Sequence, residues 1–186
     1  MNPSQAPWHA GEREMQARAG VAERMEEIGA RFLRDYMPEQ HRQFFPLLPS
    51  LYVGALDEEG WPCASMLAGP PGFVHSPDPR LLRVEARGDG DSVRPGAPVA
   101  LLGVQAHTRR RNRMNGTVVD CSDHGFSVRV AQSFGNCPKY IHARELLHDA
   151  SAMAGPAAIE ELGTLDAAAL AQVTAAHTFF IASGHP

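Results

Sequence analysis

The chain has 186 residues, 44% apolar and 20% charged, with a formal net charge of −4 and a pI of about 6.1. That fits one soluble globular domain with a core and a few extra helices, and it disfavours a general nucleic-acid binder. No stretch approaches the roughly 20 apolar residues of a membrane helix, and Met1 to Gly11 lacks a basic-then-apolar export pattern, so a cytoplasmic location without membrane contact is expected.

In chain order, residues 1–10 read as an arm, although Pro7-Trp8-His9 suggests that Trp8 folds back onto the body. From Gly11 to Tyr36 the spacing of Val21, Met25, Ile28, Phe32 and Tyr36 predicts an amphipathic helix, with Gly20 a point of division. Pro38 stops it, and a short helix from Glu39 to Phe45 follows before Pro46 and Pro49. The pattern then turns to β. Leu51–Leu56 and Cys63–Ala68 flank a turn at Asp57-Glu58-Glu59-Gly60. A sharp loop, Gly69-Pro70-Pro71-Gly72, leads into Phe73-Val74, and Leu81–Ala86 is the next strand. Further strands run from Val99, through the arginine tract to Val119, and over Phe126–Val130. Short strands with short connections predict an α+β, mainly β fold: a six-stranded antiparallel split barrel with N-terminal helices and a C-terminal helix. A short helix should end near Leu147, followed by a small-residue linker, a helix over Leu165–His177 and a strand over Thr178–Ser183. Helix, apolar strand and Gly-x-Pro there repeat the element order of Glu39 to Pro62. The end of the chain therefore resembles the start of a second barrel, or else a terminal strand pairing with the barrel edge. The implied units are 1–48 (arm and helices), 49–148 (barrel) and 149–186 (linker, helix and strand).

Three cysteines without a CxxC pair argue against a disulfide framework or structural zinc, and the nine histidines show no ligand spacing, so no metal is expected. Cys137 is read as a buried structural cysteine in preference to a reactive thiol near a ligand, and Trp8 and Trp61 as packing residues.

Arg109-Arg110-Arg111-Asn112-Arg113 carries the chemistry. In a strand, Arg109, Arg111 and Arg113 would project together, about 7 Å apart. Their repulsion is about 0.6 kcal/mol per pair in water and about four times that at a protein-like dielectric. A half-buried stripe therefore calls for an anion, and forked guanidinium donors suit a phosphate. The alternative is a solvated basic edge that blocks strand-on-strand aggregation. Asn115-Gly116 is a hairpin signal, yet Gly116 reads better as a bulge or close-approach site within the strand.

Several ordered segments then converge: Gly60-x-Pro62-x-Ala64-Ser65, Pro71-Gly72-Phe73-Val74, Arg109–Gly116, and Ser133-Phe134-Gly135-Asn136-Cys137-Pro138-Lys139-Tyr140-Ile141. Together they resemble the pyridoxamine 5′-phosphate oxidase-like flavin-binding split-barrel proteins. More narrowly, Pro7-Trp8-His9-Ala10-Gly11-Glu12 is similar to the arm of a bacterial subgroup with tandem barrels, of which only the first would be present here. The resemblance implies FMN at a homodimer interface and a small-molecule redox substrate. It implies that Ser65, Met66 and Leu67 line the flavin, that Arg109, Arg111, Arg113, Asn115 and Gly116 reach its phosphate or ribityl chain, and that Lys139 adds charge. No catalytic acid or base stands out. The oxidoreductase reading competes with a non-catalytic carrier of flavin, another phosphorylated ligand or a heme-like ligand, with a nucleic-acid contact through Arg109–Arg113 together with Arg80, Arg83 and Arg87, and with an interaction domain that has lost its cofactor.

Overall fold

The computed structural model describes residues 8–86, 92–135, 137, 139, 141–145 and 161–184. The N-terminal helix divides at Gly20, whose φ of +68° favours glycine, into α1 (Ala10–Arg18) and α2 (Ala22–Phe32). His9 caps α1 in a reciprocal box with Glu12. Trp8 does fold back: its indole Nε1 donates to the Met25 carbonyl at 3.0 Å. The helix stops four residues short of Tyr36, because Leu33 is extended and Arg34 exchanges two backbone hydrogen bonds with Ser133. The short helix expected over Glu39–Phe45 is α3 (Glu39–Arg42), followed by a single 3-10 turn over Phe45–Leu47.

Seven strands follow: β1 (Ser50–Leu56), β2 (Pro62–Ala68), β3 (Val74–Asp78), β4 (Leu81–Val84), β5 (Pro98–Gln105), β6 (Arg110–Ser122) and β7 (Gly125–Gly135). They form one antiparallel sheet in the order β2-β1-β5-β6-β7-β4-β3, with β2 and β3 as open edges. The α+β class is as expected, with one strand more. The extra strand is β3, whose Ser76-Pro77-Asp78 has little β propensity and is held by pairing with β4 around a bulge. β7 runs to Gly135, so Ser133-Phe134-Gly135 belongs to the sheet and does not lead out of it. Residues 141–145 are not helical, and the rest of the expected helix, like all but the last three residues of the linker expected over 150–163, lies outside the described residues.

Alternation sorts the sheet into two faces. The inner face supplies Leu51 and Val53 from β1, Val99 and Leu101 from β5, Met114 and Val118 from β6, and Phe126 and Val128 from β7. Met37, Phe44, Phe45 and Leu48, from the region of α3, close over this face. Gly103 is required there, since a Cβ would run into Leu48 and Phe44.

After α4 (Ala167–Ala175), whose residues are all unburied, the chain does not form the expected strand over Thr178–Ser183. It lies across the outer face of β1 without joining a ladder. Phe180 stacks on Tyr52 with centroids 3.6 Å apart, the Ala182 methyl lies over Gly54, and Gly184 comes against Leu56. Two sequence readings of single residues are corrected: Trp61 is 69% exposed rather than packed, and Cys137 is exposed rather than buried. Among the described residues no helix is long and apolar enough to cross a membrane, and no group of three metal-ligating side chains assembles.

Candidate functional site

β6 places the arginine tract. Asn112, Met114, Gly116 and Val118 turn inward, and Arg111, Arg113 and Asn115 turn outward. Arg109 does not join them. It precedes the strand in the left-handed region, with φ 56°, at the end of a 3-10 turn over Ala106–Thr108, and its side chain is exposed. Arg110 takes the inner side, its guanidinium 4.9 Å from the Phe44 ring centre.

Residues directly opposite in an antiparallel ladder share a face, so the register shows what surrounds the outward side chains. Arg113 pairs with Leu102 on one side and Phe134 on the other. Asn115 sits between Ala100 and Gln132, and Arg111 opposite Val104. The two arginines thus project from an apolar surface, and both are partly buried. Burial, with Arg111 close by, pushes the Arg113 guanidinium below its ordinary pKa. An arginine nonetheless remains protonated at any physiological pH.

Arg111 Nη2 donates to the Cys137 carbonyl at 3.3 Å, and Asn115 Nδ2 donates to Gln132 Oε1 at 3.0 Å. Among the described residues, three buried polar atoms on this face have no partner: Arg111 Nε, Arg113 Nε and Asn115 Oδ1. Such atoms are rare in folded proteins, because each costs about 1–3 kcal/mol when left unsatisfied. Two cationic donors beside one neutral acceptor suit an anion linked to a hydroxyl-bearing chain. A fourth unpartnered atom, Asn112 Nδ2, lies on the inner face, away from this group.

The other candidates are distributed as follows. Gly116 lies inside the strand at a bulge between Asn115 and Gly116, not in a hairpin turn. The close approach there is by the protein itself, since a Cβ would collide with the Arg129 carbonyl and Val128. On β2 the ladder sets Met66 opposite Tyr52, facing outward, and sets Ser65 and Leu67 opposite Val53 and Leu51, facing inward. Met66 therefore shares the arginine face at a distance of three strand spacings, roughly 14 Å. Lys139 is exposed in a turn beyond β7. The structure brings together Arg111, Arg113 and Asn115, adds Met66 on the same face, and leaves Ser65, Leu67 and Gly116 on the other.

Sequence reasoning missed Tyr52, Leu102, Phe134 and Gln132, whose relation to the arginines exists only through the ladder. It also missed a buried pair, His41 Nδ1 and Ser133 Oγ, 2.8 Å apart. Burial lowers the His41 pKa, and the nearby Arg34 and Arg110 cations lower it further.

No protein-family model matches the chain, and no curated protein matches it in sequence. Among solved structures, it is similar to Group A Streptococcus HupZ at 12% identity and a TM-score of 0.42, over 53% of this chain and 93% of that one. A histidine-to-alanine variant of HupZ matches at 13% identity and a TM-score of 0.41, over 54% and 99% of the respective chains. Likenesses this distant carry no chemistry across, and what the site can hold follows from its own side chains.

Proposed function

We propose that this protein binds FMN on the outer face of an open split barrel, as a homodimer, and serves a redox reaction on a small molecule. The observation that carries the reading is the set of unpartnered buried atoms on Arg111, Arg113 and Asn115. The residues fit the group. Arg111 and Arg113 would donate to the phosphate, Asn115 Oδ1 would accept from a ribityl hydroxyl, and Lys139 would add charge at the rim. The apolar residues beside Arg113 would exclude water and so strengthen those bonds. When bound, the flavin supplies electron or hydride transfer, and the protein's part is to hold and orient it.

The test is flavin titration of the wild-type chain and of the Arg111→Ala/Arg113→Ala double variant, with circular dichroism to verify the fold. Charge-assisted bonds of about 1.5–3 kcal/mol each predict a loss of affinity of about a hundredfold or more. Unchanged affinity in a folded double variant would remove the assignment. Bleaching of bound flavin by NADH or NADPH would identify an oxidoreductase, and retention without bleaching would identify a carrier.

A further inference from the structure

Tyr52 presents the face of its ring to the outer side of the sheet, where Phe180 lies on it 3.6 Å away, with the planes 19° apart. Aromatic side chains in proteins prefer offset or edge-to-face pairs with centroids about 4.5–7 Å apart. A close, nearly parallel overlap is the way a flat ring rests on a platform. The ground around it is small: Gly54 follows two residues along β1, Ala100 faces Gly54 across the ladder, and a Cβ at Gly54 would lie 3.5 Å from the Ala182 methyl and 3.8 Å from that of Ala100. The platform is also in line with the arginines. Tyr52 pairs with Leu102 and Leu102 with Arg113, so platform and anion site stand two strands apart, roughly 10 Å.

The segment that supplies Phe180 is lightly held. It joins no ladder, α4 before it has no buried residue, and Phe179 and Ile181 on either side of Phe180 are 70% and 74% exposed. Among the described residues, a polar tie joins Arg144 to His177, 2.9 Å, at an exposed position. A stretch with so few buried contacts opens at little cost.

We infer that Tyr52, floored by Gly54 and Ala100, is the ring subsite of the anion site, and that Phe180 fills it until a phosphorylated planar ligand displaces it. This rests on the function proposed above, of which it defines the second half: arginines for the phosphate, tyrosine for the ring. Bound ligand and seated Phe180 exclude each other, so apparent affinity is the intrinsic affinity reduced by the fraction of chains with the platform open.

The experiment uses the full chain, as wild type and as Phe180→Ala, Tyr52→Ala and Arg111→Ala/Arg113→Ala, titrated with FMN and separately with pyrophosphate as a ring-free anion. Phe180 is 38% exposed, so its truncation spares the core. Phe180→Ala should tighten FMN about twofold to tenfold and leave pyrophosphate unchanged, and Tyr52→Ala should weaken FMN alone by a similar factor. FMN should also speed amide hydrogen exchange over residues 176–184. FMN affinity that falls or stays fixed in Phe180→Ala, with pyrophosphate still dependent on the arginines, would overturn the ring subsite and leave the anion site standing. Pyrophosphate binding indifferent to both arginines would overturn the anion site itself.

Discussion

Replacing Arg113 by methionine should make the ligand-free protein more stable, the reverse of the usual effect of altering a partly buried residue. Arg113 sits between Leu102 and Phe134, its Nε has no partner, and Arg111 lies on the same face two residues away. At a separation of roughly 7 Å, the repulsion between the two charges is about 2.4 kcal/mol at an effective dielectric of 20 and about 0.6 kcal/mol in water. Half-burial places the pair between these limits, so removing one charge should contribute about 1 kcal/mol, or about 2–4 °C in Tm for a chain of this size. Methionine fills the same apolar slot with an unbranched chain and leaves no orphaned donor. With FMN at a hundredfold excess over Kd the order should invert, since the wild type gains about 2.7 kcal/mol from binding and the variant gains much less. Thermal unfolding followed by circular dichroism, with and without ligand, reads both halves. If Arg113→Met melts several degrees below the wild type without ligand, the guanidinium is already satisfied within the protein, and the argument for an anion fails.

Two other substitutions probe the scaffold. Gly116→Ala should destabilise by about 1–3 kcal/mol, because its Cβ meets the Arg129 backbone where β7 bulges against β6, and the urea midpoint should fall accordingly. For His41 the native pKa lies below the ordinary value of 6.5, so the unfolded chain takes up the proton first. Its contribution is therefore complete above about pH 6.5 and is lost as pH falls through the lowered native pKa. His41→Asn, which keeps a polar group near the Nδ1 position beside Ser133, should flatten that part of the stability-against-pH curve. An unchanged slope there would show that other groups set it.

Where a segment's own pattern determines its structure, the sequence was legible, and where long-range pairing decides, it was not. Gly20 divides the first helix and Gly116 marks a bulge because each answers to local backbone geometry or close packing. β3 was hidden because Ser76-Pro77-Asp78 is extended only by virtue of β4. Arg109 was misplaced because nothing in its type distinguishes a strand residue from the left-handed end of a 3-10 turn. The C-terminal stretch is the most instructive failure. Phe180, Ala182 and Gly184 lie on β1 while Phe179 and Ile181 face out, an alternation that a strand at a sheet edge would share. Whether such a segment pairs with an edge or lies on a face depends on which partner offers room, here Gly54. His41 and Ser133 are 92 residues apart, so their hydrogen bond has no local signature.

The proposed site on the outer face also favours one class of ligand over another. A nucleic-acid groove would present several cations to successive phosphates and leave the intervening surface polar, with binding that falls steeply in salt. Here Arg80 is engaged with Asp35 at 2.8 Å, and Arg111 and Arg113 are set among Val104, Leu102 and Phe134. Two cations can neutralise one phosphate, and the surrounding apolar surface gains only if the same ligand carries a body that covers it. A small molecule with a phosphate at one end and a flat ring at the other satisfies both demands. Raising salt should therefore weaken its binding only modestly, because much of the affinity would come from apolar contact, whereas a steep salt slope would return the arginine tract to the role of a backbone-phosphate contact.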